Sequence, residues 1–294
     1  MSNGLLFATS IHPGVEHFPQ SLQHAQLADE LGLDILTLMD HPYNREHLDT
    51  WTLLSALAMR TQNIHLGTNV SNLPLRLPAM LAKQAATLDV LSGGRVELGL
   101  GAGFAWEGIR AYGGPQRSSG EAFRAFRDAL HILRGMWDNA GGSFSYEGDI
   151  YSVRGARPGP APAHRIRIWT GAYGPQMLRL TGREADGVWV SISYAPPERL
   201  PFIQENIDRG AEQAGRDPSE IRRGYNLMGL ITERSQKSDE SIVGPASYWI
   251  DQVLRLHREH RIDAFNFWPS RDFTVQLERF ASQVIPAVRD AAAQ

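Results

Sequence analysis

The 294-residue chain contains no cysteine. That excludes disulfides, thiolate nucleophiles and cysteine-held metals, and it leaves the redox compartment unread from composition. Excess charge is scarce as well: 29 Lys+Arg against 32 Asp+Glu give a net charge of −3 at pH 7. So even a balance makes no electrostatic case for nucleic acid as a partner. No basic-plus-apolar leader is seen, since Leu5–Ala8 runs at once into polar residues and Pro13. No apolar run approaches the roughly 20 residues of a membrane-spanning helix. The expectation is a soluble, cytoplasmic protein without membrane or nucleic-acid partners. Metal motifs are wanting too. No H-x-H follows the first strand, and His257 and His260, among Arg255, Arg258 and Arg261, read as a solvated helix face. No metal is expected.

What is present is a patterned run from Asn63 to Tyr112. Ile64–Val70 has the length and branching of a strand, and Pro78 sits where a first helical turn tolerates proline. Leu81, Ala85, Leu88 and Leu91 then recur at helical spacing. Ser92-Gly93-Gly94 ends that helix, because glycine reaches left-handed φ without a Cβ clash. Val96-Glu97-Leu98 opens a second strand that finishes in Gly99-Leu100-Gly101-Ala102-Gly103. Strand, helix and strand in so short a span make a βαβ unit, hence a parallel sheet.

The alternation continues on both sides. Further strands are expected at Leu5–Ser10, Leu33–Met39, Ile166–Thr170, Gly187–Val190, Gly224–Ile231 and Ala264–Trp268. Helices are expected at Gln20–Glu30, with Leu22, Ala25 and Leu31 buried, and from Asp49 or Thr50 to Arg60. Others cover Glu121–Trp137, Pro175–Glu184, Pro197–Ala214, Pro245–Glu259 and Val275–Arg289, the last bent or broken at Pro286. One irregular insertion, Asp138–Arg165, falls between the fourth helix and the fifth strand, with a small hairpin in Phe144–Val153. The pattern predicts a single α/β domain over residues 1–294, a (β/α)8 TIM barrel. A doubly wound open sheet is the runner-up, since periodicity is blind to closure.

In such a barrel the active site gathers at strand C-termini. That rule selects His12, Asp40-His41, Asn69–Asn72, Gly101–Trp106, Gly171–Gly174, Ser191–Tyr194, Asn226 and Trp268. Glycines and aromatics with few charges suit a planar heterocycle better than a polyanion. His41 titrates near neutrality and is either an acid/base or a loop cap. Gly101-Ala102-Gly103 allows close backbone approach, as a plain turn also would. Thr170-Gly171-Ala172-Tyr173-Gly174 precedes a helix at Pro175, whose free N–H groups form a phosphate cradle or merely a cap. Trp106, Tyr194, Trp268 and Trp51 suggest an apolar or aromatic substrate, although core packing is the commoner use of any one of them.

The segments GTNV, LPLRLPAMLAKQAATLDVLSGGR and ELGLGAG resemble the core of the luciferase-like monooxygenase superfamily. That group holds flavin-dependent luciferases and monooxygenases, and reductases and dehydrogenases that use coenzyme F420. The resemblance implies that His41, with Asp40 beside it, is the catalytic acid/base against the cofactor ring. It implies a β-bulge with a non-prolyl cis peptide at Asn69-Val70-Ser71, bracing one face of that ring. The cofactor-binding set becomes Asn69, Val70, Ser71, Gly101, Ala102, Gly103, Gly171, Ala172, Tyr173 and Gly174, with the phosphate on the last four. His12, Trp106, Tyr194, Asn226 and Trp268 are left to line a substrate pocket. The implied cofactor is coenzyme F420, with FMN as the alternative. The implied reaction is F420-dependent hydride transfer to or from a small, apolar or aromatic organic substrate. Two alternatives stand beside it: an FMN-dependent monooxygenase fed by a partner reductase, and a non-catalytic flavin-binding protein. A homodimer through Thr50–Arg60 and Pro78–Leu91 is expected from family habit. One departure matters. Phe104 stands where the glucose-6-phosphate dehydrogenase branch carries a glutamate, so a sugar phosphate is not expected.

Overall fold

The computed structural model describes residues 4–236 and 240–293. Its strands in chain order are β1 (Leu6–Ser10), β2 (Ile35–Leu38), β3 (His65–Thr68), β4 (Ser71–Asn72), β5 (Val96–Gly101) and β6 (Phe144–Glu147). There follow β7 (Ser152–Ala156), β8 (Arg167–Gly171), β9 (Gly187–Ser191), β10 (Arg222–Ile231), β11 (Ile242–Gly244) and β12 (Ala264–Pro269). The main sheet runs β10–β12–β1–β2–β3–β5–β8–β9, and β9 pairs in turn with β10, which closes the expected (β/α)8 barrel. β11, not anticipated from sequence, pairs beside β10, and β4 pairs with β5. In the polar connection before β11, residues 237–239 lie outside the described residues. By contacts the chain falls into two compact units: His12–Phe18 with Leu38–Gly171, and Met1–Ile11, Pro19–Thr37 with Ala172–Gln294.

In the 38–171 unit, all six residues of β5 are buried, as befits a parallel strand covered on both faces. Gly99 stands where a Cβ would collide with the Thr68 carbonyl oxygen. The helix Pro78–Ser92 starts on its proline and ends in a Schellman turn. There Gly93 N donates to Val90 O (3.2 Å) and Gly94 N to Asp89 O (2.8 Å), with Gly93 at φ 71°. Leu81, Ala85 and Leu88 are buried, but Leu91 is 61% exposed. Ten residues past Leu81, the 3.6-residue period has carried it about 80° off the stripe.

The helix Ser119–Asp138 opens with a capping box, Ser118 to Glu121, and buries Ala122, Ala125, Phe126, Ala129 and Leu133. Trp137 Nε1 donates to Ala82 O (2.9 Å), tying this helix to Pro78–Ser92. The insertion hairpin β6–β7 is antiparallel and is anchored by one carboxylate. Asp128, fully buried, accepts from Ile150 N (2.7 Å), Tyr151 N (3.1 Å) and Tyr146 Oη (3.2 Å).

The other unit is built on an aromatic cluster. Phe267 stacks on Phe280 at 4.6 Å, Trp249 meets Phe267 edge-on at 5.0 Å, and Phe7 stacks on Phe265 at 5.9 Å. In the first helix, Phe18–Glu30, the buried stripe is Ser21, Ala25 and Ala28, not the expected leucines; Leu22 and Leu31 are only half-buried. Small side chains let that helix lie close to its strands. The last helix breaks as expected, but through a π turn, Phe280–Val284, just ahead of Pro286. The turn keeps Phe280 and Val284 wholly buried.

Candidate active site

In the 38–171 unit, β2 delivers Asp40 and His41, and the two neighbours meet different fates. Asp40 is 1% exposed and tightly held. Arg76 grips it bidentately, Nε to Oδ2 at 2.6 Å and Nη2 to Oδ1 at 2.8 Å, while Asn72 N adds a third bond at 2.9 Å. Arg76 also donates to Asp49 Oδ2 (2.7 Å). Burial would lower the Arg76 pKa, but the two carboxylates overcome it and the value is raised. Burial likewise works to raise Asp49, yet bonds from Arg76 and Thr52 hold its carboxyl below the usual range. Asp40 thus clamps the end of β2 to β4 and the chain after it, with three hydrogen bonds accepted by its carboxylate.

His41 is exposed, 5.5 Å from the Tyr43 ring and 6.5 Å from His47 between centroids. Desolvation lowers its pKa below that of ordinary imidazole, against a smaller upward pull from Asp40. Of its companions, sequence reasoning singled out His12 but not His17 or His47. His12 meets His17 edge-on at 4.7 Å and His47 at 5.6 Å, and its Nδ1 accepts from Gly14 N (3.0 Å). Burial depresses His12 and His47 too, helped by the charge of His17 on the first and of His12 and His41 on the second. The bridge between Gly14 and His47 joins two loops distant in sequence, so only the fold reveals this cluster.

Beside it the peptide Asn69–Val70 is cis. Asn69 N donates to Leu38 O (2.7 Å). Val70 then fills a hollow made by missing side chains: a Cβ on Gly101 would lie 2.6 Å from Val70 Cγ2, and one on Gly171 3.1 Å from it. The Ser71 hydroxyl is spent on structure, accepting from Trp51 Nε1 (3.2 Å) and donating to Thr68 Oγ1 (3.0 Å). Trp51, 4% exposed, is therefore a buried support and not a substrate contact. Past the strand, Ala102 and Gly103 lead to Trp106; Gly103 has φ 101°, and a Cβ there would strike Pro74 and Trp106. Phe104 is 82% exposed.

In the other unit the remaining candidates cluster at strand ends as well. Ala172 is buried. Tyr173 Oη accepts from Ser191 N (3.1 Å), and its ring meets Tyr194 at 5.8 Å. Burial raises the Tyr173 pKa, partly offset by that bond. Gly174 is the N-cap of helix Pro175–Glu184 with no side chain capping it, and a Cβ added there would meet nothing within 4 Å. Asn226 is nearly buried in an amide ladder, donating to Ser191 Oγ (2.9 Å) and accepting from Asn266 Nδ2 (2.9 Å). Two residues along β12 from Asn266, Trp268 holds a buried Nε1–H with no partner among the described residues.

Comparisons with known proteins show the family. The luciferase-like monooxygenase family model matches residues 4–278. The 5,10-methylenetetrahydromethanopterin reductase of Methanolobus tindarius is 35% identical over 217 residues, 71% of this chain and 62% of that protein. The F420-dependent glucose-6-phosphate dehydrogenase of Amycolatopsis mediterranei is 26% identical over 250 residues, 83% of this chain and 73% of that protein. The chain thus spans less than two thirds of the reductase's length, at 62%. A solved F420-dependent secondary alcohol dehydrogenase, in complex with an F420-acetone adduct, has a TM-score of 0.86 at 20% identity. That likeness covers 98% of this chain and 100% of the other, and it speaks for the fold alone. The chain belongs to the luciferase-like monooxygenase family.

Proposed function

We propose that the chain is a coenzyme F420-dependent oxidoreductase moving a hydride to or from a small apolar or aromatic organic substrate. The observation that carries this is the close packing at these strand ends, where the Val70 side chain sits in space that Gly101 and Gly171 leave by having none. The residues present fit such a cofactor. Its flat ring suits the glycine-lined strand ends at Asn69, Val70, Ser71 and Gly101–Gly103, and its phosphate suits Gly171–Gly174 at the start of helix Pro175–Glu184, which no side chain caps. The orphaned Trp268 Nε1–H supplies a further donor that wants an acceptor.

When bound, coenzyme F420 supplies the ring carbon that gives or takes the hydride. His41 gives or takes the accompanying proton at an imidazole nitrogen, and its depressed pKa makes it a base that is free near neutral pH. Asp40 acts through position: gripped by Arg76, it fixes the backbone from which His41 projects. His12, Trp106, Tyr194, Asn226 and Trp268 are the substrate-side candidates. Phe104, exposed and uncharged, supports an apolar substrate over a sugar phosphate. The reading also takes both compact units as one catalytic domain, in the cytoplasm. It includes a homodimer formed by the exposed apolar side chains Met59, Leu77, Met80, Val90 and Leu91.

Titration of the apo-protein with coenzyme F420 and with FMN tests the cofactor. Tighter binding of F420, followed by turnover with a hydride donor or acceptor, is expected. Preference for FMN, with oxygen uptake once a reductase supplies reduced flavin, would favour the monooxygenase alternative. Binding without turnover would leave a flavin carrier.

A further inference from the structure

At the opposite ends of the strands that meet at Val70 lies a cluster with no part in that reading. His65 opens β3, Glu97 is the second residue of β5, and His164 comes three residues before β8 begins. Each offers a ligand atom, and these atoms lie within 4.8 Å of one another. His65 Nδ1 is 3.5 Å from Glu97 Oε1, and the two imidazole rings are 5.8 Å apart. His65 Nδ1 and His164 Nε2 are both buried with no hydrogen-bond partner among the described residues.

The groups behind these atoms are arranged as metal ligands require. His164 Nδ1 meets Asp89 Oδ1 at 2.8 Å. The same carboxylate accepts from His164 N (3.0 Å) and Val96 N (3.1 Å), which fixes it in place. With Nδ1 turned to this carboxylate, Nε2 is the ring nitrogen left for another ligand. A carboxylate–histidine pair of this kind fixes tautomer and ring angle around metals. Glu97 is held likewise: Trp169 Nε1 donates to its Oε2 at 2.7 Å, leaving Oε1 toward the histidines. Arg167 Nη1, 3.8 Å from Glu97 Oε1, balances the local negative charge.

We propose that His65, Glu97 and His164 bind a divalent first-row transition ion, Zn²⁺ foremost, with water completing the shell. Two imidazoles and a carboxylate are a standard zinc donor set. Zinc bonds of about 2.1 Å put tetrahedral donors about 3.4 Å apart. The His65–Glu97 distance of 3.5 Å already meets that, and the widest permitted separation, 4.8 Å, needs closing by over an ångström. The His65 ring can turn to do so, since its side chain is 20% exposed, and the 29% exposure of His164 gives the ion a way in. Four residues of strand, about 13 Å, separate Glu97 from Gly101, so the ion would brace the barrel without entering catalysis. It departs from the expectation from sequence that no metal binds.

The test is calorimetric titration of chelator-stripped protein with Zn²⁺, with Co²⁺ absorption as a second readout. One ion per chain is expected, with the visible bands of four-coordinate Co²⁺ and a higher melting temperature when zinc is bound. His65→Gln and His164→Gln should each weaken zinc binding by at least about tenfold. Cofactor affinity and far-UV circular dichroism should not change in either variant. Absence of zinc binding by the wild-type protein would overturn the proposal, whatever the variants do. So would zinc binding that survives both substitutions in folded protein, since the ion would then sit elsewhere, for example at His12, His17 and His47.

Discussion

The two ends of β5 show how one strand can serve two purposes. At its C-terminal end, Gly101 has no side chain, its neighbour across the hollow is Val70, and no charge intrudes. At its N-terminal end, Glu97 is buried among His65, Arg167 and Trp169, with the Asp89–His164 pair alongside. Only four residues separate the extremes. The lesson concerns bulk and charge: the glycine end is shaped to admit something flat, whereas the charged end is shaped to hold strands together. The same contrast recurs between the neighbours Asp40 and His41, one buried and clamped by Arg76, the other exposed.

The sharpest way to break the second contrast is His41→Asn. A general acid–base group contributes about 10²–10⁴-fold to rate, so kcat should fall by that order while cofactor affinity changes much less. Normal turnover with lost stability would make His41 a loop cap. Next in size is Arg76→Ala, which strands the buried Asp40 carboxylate. Removing one partner of such a pair costs about 3–5 kcal/mol, to be read from the urea midpoint. A loss below about 1 kcal/mol would mean Asp40 is better solvated than its 1% exposure implies.

The histidine cluster yields a pH effect. Because His12, His41 and His47 have folded pKa values below the ordinary 6.5, the unfolded chain binds protons more readily. Stability should therefore rise with pH through a window that ends near 6.5 and should fall as pH drops below it. Comparing melting temperatures of the wild type and His47→Gln across that window should show a flatter slope in the variant. An unchanged slope would exclude the cluster as its source. Smallest in folding energy is Leu91→Glu, an exposed site where substitutions stay within about 0.5 kcal/mol. Light scattering should nevertheless show a dimer becoming monomeric, and a monomeric wild type would refute the dimer.

Much of the fold was legible because its signals are local. Pro78 and Gly93 bracket one helix and Pro175 opens another, and each acts through its own backbone. Chain length along β2, β3, β5 and β8 also placed the strand-end residues. Partners from distant loops were not legible. Nothing in the sequence joins Asp40 to Arg76, 36 residues on, or Asp128 to the hairpin it anchors. The His65, Glu97 and His164 cluster escaped for the same reason, since parallel strands bring together residues that no spacing rule connects. The π turn at Phe280 was hidden because proline signals a break without giving its form.

The central claim is that the glycine end seats a phosphate-bearing cofactor, and Gly174→Val tests it most directly. Gly174 has φ −90° and ψ 151°, a conformation valine readily adopts, and its added Cβ would meet no protein atom within 4 Å. The fold should stay intact while the new side chain occupies space meant for phosphate. Fluorescence titration with coenzyme F420 is expected to show affinity reduced by about tenfold or more, about 1.4 kcal/mol, at an unchanged melting temperature. Wild-type affinity in the folded variant would contradict the account, because the phosphate would then lie elsewhere.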